Sequence, residues 1–323
     1  MRTNLRALLA THAGLGLYKG LSGFDPADKQ KLLEAIAKTP IGSAYQTAFD
    51  RWREVLKGAV FIEATTTTPL AIGLGNSSPI ENGLAIHHTY GTPYLPGSAI
   101  KGLLRRAAGK YGLNEEQQAV MFGEEPNKER RTQGSAGHLV YWDGWLSPDC
   151  KIPFQKDVIT VHHPNYYSTG DKDWPTDFDD PNPVAFLSVK PGTKFVLAIS
   201  SASENAAPWL YRAGEMLEFA LTHLGLGGKT NAGYGYFEVK LPPKPKSETE
   251  QGQELLASYR KRIEGIKPGN ERGELNFFLR ELGDKLPAVR KPVLEAIKKQ
   301  LVDWKSWKPT NPQHAEIDRL LEG

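Results

Sequence analysis

Gly225-Leu-Gly-Gly-Lys-Thr-Asn-Ala-Gly-Tyr-Gly235 follows an apolar segment with helical spacing, Trp209 to Leu224, and leads into Tyr234 to Lys240, which reads as a strand. Glycines let backbone N–H groups approach an anion with no Cβ in the way, and Lys229 adds a charge beside them. The run Gly228, Lys229, Thr230 does not make a nucleotide-binding P-loop. That motif needs a glycine where this chain has His223, with a strand before the loop and a helix after it, and the order here is reversed. A ribose-phosphate backbone suits such a loop better than a nucleoside triphosphate. The candidate contacts are Gly225, Gly227, Gly228, Lys229, Thr230, Asn231, Gly233 and Gly235.

A second stretch points the same way. After Pro93-Tyr-Leu-Pro-Gly97, Ser98 is a suitable helix N-cap, and Ile100, Leu103, Leu104, Ala107, Ala108 and Tyr111 follow at helical spacing, predicting one core face. Lys101, Arg105, Arg106 and Lys110 fall off that face, and Lys101 and Arg105 stand one turn apart on the same side. The helix N-terminus adds unpaired N–H groups and a positive dipole end. Two anion sites in one chain suggest a polyanion, with Ser98, Lys101, Arg105 and Arg106 as its contacts on this helix.

These two elements, Leu95 to Arg106 and Gly225 to Gly235, resemble the signature motifs of the RAMP superfamily, the repeat-associated proteins of CRISPR systems. Asp157-Val-Ile-Thr-Val-His-His-Pro-Asn-Tyr-Tyr167, with Pro181-Asn-Pro-Val-Ala-Phe186, is similar to the sixth-subunit family of type III-B (Cmr) effector complexes. The likeness covers about residues 50 to 240. It implies an α+β, ferredoxin-like (RRM-like) domain with N-terminal helices, a long thumb-like insertion and a C-terminal helical appendage. It implies a non-catalytic guide RNA (crRNA)-binding subunit that holds the 3′ side of the guide at one end of the assembly. The implied partners are guide RNA, target RNA, a backbone RAMP subunit, a small helical subunit and a terminal RAMP subunit; no cofactor is implied. The enzyme-class alternative within the superfamily is a stand-alone, metal-independent guide-processing endoribonuclease.

Composition agrees with this reading. The chain has 323 residues, and 40 basic against 37 acidic side chains leave a net charge of only +3, so a nucleic-acid footprint must be a local patch. The single cysteine, Cys150, excludes an internal disulfide and a cysteine-only metal site, which fits a reducing cytoplasm. No run approaches membrane-spanning length, so the expectation is a soluble, cytoplasmic protein.

Along the chain, residues 26–38 and 43–57 read as helices bracing the sheet or a neighbour, and 59–68 as the first core strand. Residues 137–143 and 157–161 read as further strands, and Phe186 to Val189 and Lys194 to Ser200 as a hairpin around Lys190-Pro-Gly-Thr193. The RAMP domain is expected over 1–240, a proline- and charge-rich linker over 241–253, and a helical appendage over 254–323. In the insertion 166–183, Tyr167, Trp174 and Phe178 are the candidates to stack on or wedge against bases.

No catalytic or metal site is expected. His87-His88 and His162-His163 each place adjacent side chains on opposite faces of extended chain, unsuited to one metal or one substrate. Asp171, Asp173, Asp177, Asp179 and Asp180 crowd the insertion without forming a recognisable motif; as a group they would repel phosphate, and metal binding is the alternative reading of these carboxylates.

Overall fold

The computed structural model describes residues 12–14, 26–76, 78, 82–126, 133–161, 166, 168, 174–176, 179, 181–203, 206–244 and 246–322. The chain divides into two compact units, Met1–Pro242 and Pro243–Gly323.

In the first unit, helices α1 (Pro26–Ala37) and α2 (Ala44–Val55) precede β1 (Val60–Thr66), β2 (Tyr94–Leu95), α3 (Gly97–Ala108) and α4 (Glu115–Phe122). Strands β3 (Gly123–Glu124), β4 (Ser135–Ala136), β5 (Leu139–Tyr141), β6 (Gly144–Leu146), β7 (Phe154–Val161), β8 (Asn182–Val189) and β9 (Lys194–Ser201) follow. Helix α5 (Pro208–His223) and β10 (Phe237–Lys240) complete the unit. The main sheet runs β10-β1-β9-β6-β2, with β5 also on β9, and every pairing is antiparallel. With α3 after β1 and α5 after β9, this is the β-α-β-β-α-β order of a ferredoxin-like fold, as the sequence predicts.

The strands form because their alternation matches the two faces. In β1, Ile62 and Ala64 are buried and stand opposite Leu197 and Phe195 of β9, while Glu63 between them is exposed. Helix α5 lies over this face: Leu210, Ala213, Met216, Leu217, Ala220 and Leu221 are buried, and Gly214 sits next to Ile62. Burying each large aliphatic side chain contributes roughly 1.5–3 kcal/mol. On the opposite face, Trp145 of β6 stands across from Val196 and stacks on Trp52 (centroids 5.4 Å apart) and on Tyr45 (5.8 Å). The Tyr45 hydroxyl donates to the Leu146 carbonyl at 2.8 Å, so α2 braces the sheet.

The hairpin expected around Lys190-Pro-Gly-Thr193 does not form. Strand β8 pairs with β7 along its whole length, from Phe154 opposite Val189 to Val161 opposite Asn182, and β9 lies between β1 and β6. Thr66 explains the difference. Its hydroxyl donates to the Lys190 carbonyl at 2.7 Å and accepts the Thr193 N–H at 2.9 Å, pinning that corner to the end of β1. The chain therefore passes from the ribbon into the sheet instead of folding back on itself.

The second unit contains α6 (Glu248–Glu264), α7 (Glu271–Leu282), α8 (Pro287–Asp303) and α9 (Pro312–Glu322). Helix α6 starts inside the stretch read as linker, because Ser247 and Glu250 form a reciprocal capping box there. The unit has its own core, including Leu275, Phe278, Ile297 and Leu301. His314 is fully buried. Its Nε2 meets Glu271 Oε1 at 2.8 Å, its Nδ1 accepts the Lys308 N–H at 3.0 Å, and its ring stacks on Trp307. Both ring nitrogens therefore have partners, which makes His314 a structural clamp. Among the described residues, no helix is long and apolar enough to cross a membrane.

Candidate nucleic-acid interface

Helix α5 ends where the Leu224 and Gly225 amides both donate to the Ala220 carbonyl, and Gly225 takes φ +70°. The glycine loop then folds back on itself. Leu226 N–H donates to the Gly235 carbonyl at 2.8 Å, Gly228 N–H to Ala71 at 2.7 Å and Gly235 N–H to Pro69 at 2.8 Å. Gly227 and Gly235 have φ of +92° and +80°. A Cβ at 235 would lie 2.0 Å from the Leu226 oxygen, and one at 227 would lie 2.6 Å from the Ala71 oxygen. Neither position tolerates a side chain.

Lys229 adopts a left-handed conformation (φ 60°, ψ 27°) and leads into a single 3-10 turn, Thr230–Ala232. Among the described residues, the Lys229, Thr230 and Asn231 amides donate to no carbonyl. A left-handed residue followed by a right-handed turn aims successive N–H groups to one side, a concavity suited to an anionic oxygen. The Lys229 ammonium belongs to the same turn.

Side chains from three places anchor the loop. Tyr236 hydroxyl donates to the Thr230 carbonyl at 3.3 Å, and Tyr234 hydroxyl donates to Asp157 Oδ2 of β7 at 2.7 Å. Burial first, and then the Asp157 carboxylate, push the Tyr234 phenol up to about 12. Arg106 of α3 donates to the carbonyls of Leu224 (3.0 Å) and Gly225 (3.1 Å), acceptors left over at the end of α5. This contact joins the basic helix to the entrance of the glycine loop.

On α3 the expected core face is observed: Ile100, Leu103, Leu104, Ala107 and Ala108 are buried. Lys101 is half-buried; Arg105 is exposed and faces Glu125 at 3.9 Å, a contact too long and too solvated to hold it firmly. Lys101 lies ~7.5 Å along the axis from Arg106. Ser98 is not the N-cap. The helix begins at Gly97 after Pro96, and the Asp143 carboxylate accepts the Gly97 N–H at 2.7 Å. Asp143 thus places a fixed negative charge at the α3 N-terminus, where the sequence pattern predicts phosphate, because the turn between β5 and β6 brings it there.

Trp174 is 81% exposed, whereas Tyr167 and Phe178 lie outside the described residues, as do His162 and His163. His87 packs among Tyr90, Tyr94 and Trp145, and its Nδ1 accepts the Thr89 N–H at 3.2 Å. Burial lowers its pKa, opposed by the nearby Asp143 carboxylate. Among the described residues, no group of three or more His, Cys, Asp or Glu could hold a metal ion. Sequence reasoning missed Asp143 and Asp157 as anchors; only the Asp143-Gly144 turn pair hinted at the first.

Residues 63–238, which include the second half of β1, α3, α5 and the whole glycine loop, match the family model of the RAMP superfamily. This chain belongs to the RAMP superfamily. The RAMP chain is 27% identical to the CRISPR system Cmr subunit Cmr6 of Pyrococcus furiosus, across 53% of its own length and 65% of that protein. It is 25% identical to the corresponding Cmr6 subunit of Saccharolobus solfataricus, across 61% of its own length and again 65% of the relative. The match thus spans 65% of the length of each of these two relatives. The RAMP chain also resembles a chain of the cryo-EM structure of the type III-B Cmr-beta complex bound to cognate target RNA. That likeness has a TM-score of 0.52 and 25% identity, covering 68% of this chain and 77% of the other.

Proposed function

We propose that this RAMP chain is a guide-RNA-binding subunit of a type III-B (Cmr) RNA-targeting complex. It holds the 3′ side of the guide at one end of the assembly, and the ribonuclease chemistry belongs to other subunits. The observation that carries this reading is the set of amides at Lys229, Thr230 and Asn231 that donate to no carbonyl among the described residues, in a loop that Arg106 ties to the basic helix α3. Lys101 and Arg105 neutralise phosphates, Gly225 to Gly235 cradle the backbone, and Ser98 and Arg106 border the track. Contacts of this kind position a strand without reading its sequence. Guide–target pairing supplies the specificity. Trp174 is exposed, and it is assigned, with Tyr167 and Phe178 from the same stretch of sequence, to stacking on bases. The backbone RAMP subunit, the small helical subunit, the terminal RAMP subunit and the target RNA are the partners. The packing of His87 in an aromatic cluster, with one ring nitrogen on a backbone amide, supports a non-catalytic role.

The test is RNA binding by the full chain across a salt series. Lys101→Ala with Arg105→Ala should weaken binding and reduce the salt slope by about 0.7 for each lost contact to single-stranded RNA. Lys229→Ala should do the same. Unchanged binding at moderate salt would remove these residues from the interface. Cleavage of repeat RNA at a single site by the purified chain would replace this reading with the endoribonuclease.

A further inference from the structure

Arg106 follows Arg105 in the basic stretch, yet its guanidinium is already engaged. One terminal nitrogen donates to the carbonyls of Leu224 and Gly225, at 3.0 and 3.1 Å. These oxygens lie where α5 has ended and the glycine loop begins, at the negative end of the helix dipole. A cation is favourable there independently of any ligand. The next residues, Leu226 to Gly228, carry the chain across the Ala71 carbonyl into Lys229. The direction of the loop's first peptide units therefore depends on what Arg106 holds.

We propose that Arg106 is a positioning residue: it orders the entrance of the glycine loop so that the Lys229 to Asn231 amides converge on one phosphate, and it does not itself neutralise that phosphate. The inference rests on the RNA-binding reading above and deepens it. A loop held in its bound form before the ligand arrives avoids the entropy of ordering on binding. The two N–H bonds of that one nitrogen lie fixed in the guanidinium plane, one for each carbonyl, whereas the rotating ammonium of lysine on its flexible stem holds neither direction.

Arg106→Ala and Arg106→Lys are compared with Lys101→Ala by titrating the full chain with a labelled single-stranded RNA oligonucleotide over a range of salt concentrations. Amide hydrogen exchange of residues 225–235 is followed in the RNA-free proteins. For a positioning residue, both Arg106 variants bind about tenfold more weakly with an unchanged salt slope. The Gly228 and Gly235 amides exchange faster in both, and lysine gives no rescue. If Arg106→Ala instead lowers the slope by about 0.7, Arg106→Lys restores binding and loop exchange is unaltered, Arg106 is a direct phosphate ligand and the proposal is overturned. If the unaltered protein binds no RNA, the RNA-binding reading fails, and hydrogen exchange alone decides: unaltered loop exchange in Arg106→Ala overturns the positioning role.

Discussion

The Tyr234 hydroxyl donates a 2.7 Å hydrogen bond to the Asp157 carboxylate, joining the far end of the glycine loop to the β7–β8 ribbon. The phenol can donate only while protonated, and its pKa is pushed up to about 12. A raised folded-state pKa means that this contribution is complete below the unfolded value near 10 and is lost as the pH rises toward about 12. Tyr234→Phe should cost about 1 kcal/mol near neutral pH. It should also flatten part of the alkaline decline measured by denaturant unfolding. Tyr45, Tyr94 and Tyr141, all raised first by burial, contribute to the rest of that decline.

Two glycine substitutions should move stability in opposite directions. Gly235→Ala forces a Cβ against the Leu226 oxygen at positive φ, and strain of this kind costs of order 1–3 kcal/mol before the clash is counted. Gly102 lies in the exposed part of α3, where an added Cβ would meet nothing within 4 Å, so Gly102→Ala should stabilise by about 0.5–1 kcal/mol. Urea titrations of both variants check the pair.

Asp143→Ala strips the α3 N-terminus of its acceptor, a loss typically worth about 1 kcal/mol, and Asp143→Asn should cost less because an oxygen remains. The same change removes the charge that opposes burial at His87. The His87 pKa should then fall further, which an NMR titration reads directly. A depressed histidine contributes stability above its unfolded value near 6.5 that is lost as the pH falls, so Asp143→Ala should be the more acid-labile protein.

Trp145→Ala removes the ring stacked between Tyr45 and Trp52 and should cost about 3 kcal/mol, with loss of near-ultraviolet circular dichroism. Trp145→Phe should recover much of both.

Local chemistry made most of the fold legible. The α3 core face follows from Ile100, Leu103, Leu104, Ala107 and Ala108, and the order helix, glycine loop, strand follows from Trp209 to Lys240. What escaped the sequence is non-local. Ser98 has the right chemistry for a cap, but Asp143, 46 positions from Gly97, performs that task. Val189 and Lys194 flank a good turn, but the Thr66 hydroxyl, 124 positions from Lys190, pins the corner at which the chain passes from the β7–β8 ribbon into the sheet. In the candidate site, the basic and glycine-rich residues are visible as letters. That one arginine binds carbonyls while its neighbour faces solvent depends on where α5 ends.

Lys229 occupies a backbone region that L-residues other than glycine enter at a penalty of roughly 1–2 kcal/mol. Lys229→Gly should therefore raise the melting temperature while discarding the ammonium group. A chain shaped by thermal robustness alone would put glycine at this corner, next to the glycine already at 228. The lysine is thus a place where durability and ligand capture pull in opposite directions, and a homologue tuned for heat would feel that conflict first at residue 229.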